Sequence, residues 1–189
     1  FSLDEMIKIW DPARISKSPA IFDPLKLRAI NATYIRALPA EEFRKLADPF
    51  IDQAVHVQID RDLLCANLQP RCEVLEDIPP QLDFFDAVLP IDAEMYRNKK
   101  QKTTPESAKE ALSALLPVLE AQTDWSRDAI FEACKQKAEA MEKKNGWLLF
   151  PLGIALSGKA RTPGGGTDLA AMMGKEETLR RLNAAIEAL

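Results

Sequence analysis

The stretch Phe22-Asp-Pro-Leu-Lys-Leu-Arg-Ala-Ile-Asn-Ala-Thr-Tyr-Ile-Arg36 carries its own helix start signal. Asp23 supplies a side-chain acceptor suited to an N-cap, and Pro24 follows at the first helical position, where its missing N–H costs nothing. Leu27, Ile30 and Tyr34 recur at helical spacing, which predicts an amphipathic helix that buries this face and leaves Lys26, Arg28, Thr33 and Arg36 outside. Downstream, Pro39, Glu41 and Glu42 open a second helix, expected to end near Asp48-Pro49. Residues 50–96 are cut by Pro79, Pro80 and Pro90; within them FIDQAVHVQIDRDLL is open between helix and short alternating strand, and short helices are expected. Thr103 and Glu106 have capping-box spacing ahead of an apolar stripe, Leu112, Leu115, Leu116 and Leu119, in which Pro117 predicts a kink. A helix from near Ser126 is expected to bury Ile130, Phe131, Cys134, Ala138 and Met141. After a glycine-rich break, Asp168 to about Met173 and Lys175 to Leu189 form a final pair, separated by Gly174. The expected fold is all-α and two-lobed, with the joint near 97–103.

Composition narrows the function classes. With 189 residues, of which 47% are hydrophobic, the chain can build a packed core. A net charge of −4 and an isoelectric point near 5.2 give no overall basic surface, so a polyanion must be met locally. The three cysteines, Cys65, Cys72 and Cys134, are odd in number and lack C-x-x-C spacing, which argues against a disulfide framework and a zinc site and fits a reducing cytoplasm. No apolar run approaches the roughly 18 residues that span a bilayer, so no membrane partner is expected. The first residue is Phe, and a piece of a longer protein is therefore expected.

Two segments imitate nucleotide sites. Arg14-Ile-Ser-Lys-Ser18 resembles the KMSKS loop with which class I aminoacyl-tRNA synthetases hold ATP phosphates, but that loop works with a two-histidine HIGH sequence on a strand-and-helix fold. This chain has one histidine, His56, flanked by Val55 and Val57, where a partly buried structural role is expected. Lys17 thus has no site to complete. Gly153-Ile-Ala-Leu-Ser-Gly-Lys-Ala160 satisfies G-x-x-x-x-G-K, yet a P-loop needs Ser or Thr next to bind Mg²⁺, and Ala160 has no hydroxyl.

Taken together and in order, FSLDEMI at 1–7, SKSPAIFDPLKLRAINATYIR at 16–36, the Pro70-Arg71 pair in LQPRCEVLED, TDWS at 123–126, PLGIALSGKARTPGG at 151–165 and GKEETLRRL at 174–182 resemble the C-terminal part of bacterial glutamyl-tRNA synthetases. In that family the ATP loop lies upstream of the SKSP segment, which makes RISKS a connector. The resemblance implies an α-helix cage that binds the anticodon of a glutamate tRNA. Residues 1–37 would end the stem-contact region, and 38–97 and 98–189 would be two helical anticodon-binding subdomains. It further implies a cytoplasmic monomer that meets no DNA, and a non-catalytic segment, with no cofactor of its own, whose parent uses ATP and Mg²⁺ to ligate glutamate.

Reading a splayed single-stranded anticodon requires planar multi-donor side chains, packing surfaces and phosphate donors. Arg71 is the lead candidate, because in the family an arginine in this Pro-Arg setting reads the third anticodon base; its structural alternative is a surface pair with Glu73 or Glu76. The second candidate is the loop from Ser157 to Gly165, with Lys159, Arg161, Thr162, Pro163 and Gly164 as contacts, or else an ordinary helix connector. Arg28 and Arg36 are candidate phosphate contacts. Gly153 and Gly165 replace larger residues common in the family, and Ala29 replaces an aromatic. These departures keep open a second reading, an interaction module of the same fold that does not read tRNA.

Overall fold

The computed structural model describes residues 1–15 and 21–189. Ser16 to Ala20, with Lys17 of the imitation ATP loop, lie outside them. Helices α1 (Leu3–Ile9), α2 (Pro24–Ala37), α3 (Ala40–Ile51) and α4 (Arg61–Leu68) are followed by α5 (Pro105–Ala121), α6 (Arg127–Ala140), α7 (Asn145–Ser157), α8 (Gly166–Met173) and α9 (Lys175–Ala188). Single 3₁₀ turns fill much of the path from Gln69 to Tyr96. Among the described residues there is no strand, only an isolated bridge between Asn98 and Thr103.

Helix α5 packs on α6, α7 and α9, α8 closes against α6 and α7, and α4 touches both α3 and α8. One hydrophobic core therefore runs unbroken from Ile35 and Phe43 through Phe84 and Phe85 to Leu182. The leucine stripe of α5 lies inside it: Leu112, Leu115 and Leu119 are fully buried, and burying such a side chain is worth about 1.5–3 kcal/mol. Trp147 is buried in the same core, and the half-buried Trp125 donates its Nε1 proton to Ala170 O at 2.9 Å.

Several expectations are corrected. The face of α2 predicted to be buried is the open one: Leu27, Ile30 and Tyr34 are 52%, 53% and 65% exposed. Ala32 and Ile35 are buried instead, because α2 docks on the turns that follow α4. There Asn31 Nδ2 donates to Glu73 O at 2.6 Å, and Gln69 Nε2 donates to Ile35 O and Leu38 O at 3.0 and 2.8 Å. The sequence holds two competing stripes on one helix, and spacing alone does not choose between them. Pro49 does not end α3. It removes one donor in the last turn, while the fully buried Ile51 beyond it holds the helix to its end. Pro117 likewise lies within α5. The cap of α5 is shifted by one residue: Thr104 and Ser107 form the capping box, and Thr103 is buried with its hydroxyl donating to Tyr96 O at 2.7 Å. Phe131 and Met141 are half-buried, whereas Ile130, Cys134 and Ala138 are fully in the core. His56 is exposed and pairs with Asp86, whose carboxyl is held below its usual range chiefly by the His56 backbone N–H and then by the ring.

Candidate nucleic-acid interface

Arg71 ends the turn Gln69–Arg71, between the buried Leu68 and Cys72. Gln69 is tied to the end of α2, and Pro70 restricts the backbone next to it, so the base of the Arg71 side chain is fixed by its neighbours. The guanidinium does not pair with Glu73 or Glu76. Its Nη1 donates weakly to Thr162 O at 3.4 Å and Pro163 O at 3.3 Å. Glu73 is taken by Arg28, which also pairs with Asp77.

The loop that receives Arg71 is built from its ends. Helix α7 stops at Gly158, whose φ of +67° is the left-handed cap conformation glycine favours, and a Cβ there would lie 2.7 Å from Leu89 O. Ser157 Oγ donates to Gly153 O at 2.7 Å and accepts from Lys159 N at 3.0 Å, while Thr162 Oγ1 donates to Gly164 O at 2.6 Å. The far end is closed by Asp168, whose Oδ2 accepts from Gly165 N at 2.7 Å. Beneath the loop α7 and α8 approach at glycine: a Cβ on Gly166 would sit 2.8 Å from Leu149 O. A Cβ on Gly153 would meet nothing closer than 3.8 Å.

Between this loop and the Arg71 turn lies a cavity of about 650 Å³, with Leu149, Phe150 and Ile154 as its apolar wall and Gln81 at its edge. Arg71, Lys159, Arg161, Thr162 and Gly164 also line it, so the structure gathers five of the predicted site residues, and Pro163 adds its carbonyl. Arg28 and Arg36 do not line it. Arg28, expected to face phosphate, is drawn into its two carboxylates because the α2 face that carries it is the docked one. Lys159 is also spoken for: its Nζ donates to Pro80 O at 2.8 Å, pairs with Asp83 and lies 6.0 Å from the Phe84 ring centre. Among the described residues, neither Arg71 nor Arg161 has a carboxylate partner. A planar multi-donor cation beside an apolar wall suits a flat base with polar edges.

Residues 153–157 form the end of α7, with Ile154, Ala155 and Leu156 buried, so their amides serve the helix and do not wrap a phosphate. Gln81, Leu149 and Phe150 escaped sequence reading, since a proline-flanked glutamine and an apolar helix carry no signal of a site. Arg181 escaped as well. It is 1% exposed, pairs with Glu177, and donates to Phe84 O, Phe85 O and Leu156 O, each at 2.7 Å. The only clue was its i,i+4 spacing from Glu177.

Comparisons with known proteins give the family and the fold. Residues 32–186 match the family model described as an anticodon binding domain. The chain is 42% identical over 189 residues to the glutamate–tRNA ligase of Clostridium botulinum strain Hall, and 41% identical to that of Clostridium acetobutylicum; each match covers all of this chain and 39% of the relative. It therefore spans about two-fifths of the length of the curated relatives it matches. The crystal structure of a glutamate tRNA ligase from Elizabethkingia meningosepticum, in complex with its amino acid, superposes with a TM-score of 0.79 at 26% identity, covering 100% of this chain and 37% of that one. Glutamate-tRNA synthetase from Elizabethkingia anophelis gives 0.78 at 26% identity. With its helical cage, its loop-walled cavity and a family match over most of its length, this chain belongs to the anticodon-binding domain family.

Proposed function

We propose that this chain is the anticodon-reading part of a glutamate–tRNA ligase, and that the cavity between the Arg71 turn and the 158–165 loop receives the anticodon. Residues 38–97 and 98–189 would form its two halves. The observation that carries this reading is Arg71. Its guanidinium has five N–H donors, one nitrogen is steadied by two loop carbonyls, and no carboxylate among the described residues neutralises it. Arg161, Thr162 and Gly164 would contact the loop backbone or the first two bases, with Lys159 holding the wall on which they stand. Arg36, exposed at the end of α2, would touch phosphate, whereas Arg28 would act only after leaving Glu73 and Asp77.

Ligation would belong to the rest of a full-length parent, in the cytoplasm and as a monomer; ATP and Mg²⁺ would bind there, since Ala160 and the helical 153–157 segment do not suit them. No described helix is long and apolar enough to cross a membrane. The test compares binding of this chain to a glutamate-tRNA anticodon stem-loop and to one altered at the third anticodon base. Wild type should prefer the cognate loop by about 5- to 150-fold, the value of one bidentate base-edge contact, and Arg71→Ala should abolish the preference. Equal binding of both loops by wild type would remove the reading.

A further inference from the structure

The loop that steadies Arg71 is itself held from behind, by two residues outside the cavity lining. Asp168, in the first turn of α8, is 14% exposed at its side chain. Its Oδ2 accepts from Gly165 N at 2.7 Å, and its Oδ1 accepts from Arg127 Nε at 3.0 Å. The loop is also seated on it sterically, because a Cβ on Gly164 would lie 2.5 Å from Asp168 Cβ. Arg127 starts α6, where its Nη1 pairs with Asp128 at 2.7 Å and its guanidinium lies 5.7 Å from the Phe131 ring centre. The guanidinium is thus oriented before it meets Asp168.

We propose that Asp168 and Arg127 are positioning residues for anticodon reading: through Gly164 and Gly165 they hold the Thr162 and Pro163 carbonyls that orient Arg71. This inference rests on the reading of the cavity as the anticodon site. Each member of the pair has a separate task. Asp168 closes the loop with a hydrogen bond that a neutral acceptor can also supply. An uncompensated carboxylate beside an RNA site would repel phosphate, and Arg127 cancels that charge where it arises. The sequence alone hides this, since the two residues are 41 positions apart.

The experiment measures dissociation constants of this chain for the cognate and third-base-altered anticodon stem-loops, with thermal unfolding of each variant alongside. Wild type should show the preference of about 5- to 150-fold set by Arg71, and Asp168→Ala should bring the ratio to within about threefold of unity. Asp168→Asn keeps an acceptor for Gly165 N and should retain the preference. Arg127→Met should weaken binding of both loops, most at low salt, and adding Asp168→Asn to it should restore binding by removing the shielded charge beside the loop, since the Asp128 carboxylate left behind is 85% exposed and screened by water. If Asp168→Ala weakens both loops by one common factor and leaves the ratio intact, the proposal is wrong. Should Asp168→Ala not fold, the Arg127→Met pair decides: failure of the second change to restore binding overturns it. A wild type without any preference would instead refute the anticodon reading itself.

Discussion

Replacing Arg181 with methionine keeps most of the side-chain volume and removes the charge. Three carbonyls, those of Phe84, Phe85 and Leu156, then lose their donor in a position 1% exposed to water. Hydrogen bonds from a charged donor are worth about 1.5–3 kcal/mol each, so the gross loss is roughly 4.5–9 kcal/mol. Relief from burying a cation offsets part of this, and breaking a buried network by removing one member costs about 3–5 kcal/mol net. Glu177 keeps Arg180, so no orphan carboxylate is added. Equilibrium urea unfolding should therefore show a stability loss of about 3–5 kcal/mol, and the melting temperature should fall by roughly 6–20 °C at about 2–4 °C per kcal/mol for a chain of this size. Arg181→Lys, with one point donor in place of a fork, should recover only part of the loss. A loss below about 1 kcal/mol for Arg181→Met, with an unchanged urea slope, would mean that the carbonyls are satisfied otherwise and that Arg181 does not tie α9 to the Phe84–Phe85 segment and α7.

Other substitutions test other joints. Gly166→Ala forces a methyl against Leu149 O and Gly153 N, both backbone, and should cost about 1–3 kcal/mol in urea unfolding; Gly174→Ala meets nothing within 4 Å, yet φ of +82° with ψ of 169° is a backbone conformation essentially confined to glycine, so it should cost about 1–3 kcal/mol of strain alone. On α2, Ile35→Ala should lose about 2–4 kcal/mol, whereas Leu27→Ser on the open face should change stability by less than about 0.5 kcal/mol; the reverse order would restore the face that spacing suggested. Glu177 is held down to about 2 by Arg180 first and by Arg181, against an ordinary value of 4.5. A depressed carboxyl stabilises the fold above its unfolded value, so this contribution should be full above about pH 5 and vanish as pH falls toward 2. It amounts to at most about 3 kcal/mol before screening at a third-exposed side chain reduces it. Acid titration of Glu177→Gln should show a shallower loss across that window.

The helical class and most helix positions were legible because caps, prolines and glycines are local signals. Asp23, Ser126 and Gly174 mark ends without help from the rest of the fold. The face of α2 was not legible, since its contact with Glu73 and Gln69 is a tertiary choice between two apolar stripes. The same holds for charges: Arg28 and Lys159 look free in sequence and are paired in the fold, by carboxylates 45 and more positions away. Arg71, which lines the cavity, stood out as a candidate through its Pro70 neighbour and the order of the surrounding motifs. The loop carbonyls that hold it, and the pair behind that loop, lie more than 50 positions further on and leave no periodic trace.

Whether the cavity receives the anticodon is decided by hydrogen–deuterium exchange of this chain with and without a glutamate-tRNA anticodon stem-loop. Exchange should slow at residues 69–81 and 158–166, the two segments that face each other across the cavity. Slowed exchange confined to the basic turn at 97–102 or to the open face of α2, with the cavity segments unchanged, would contradict this reading.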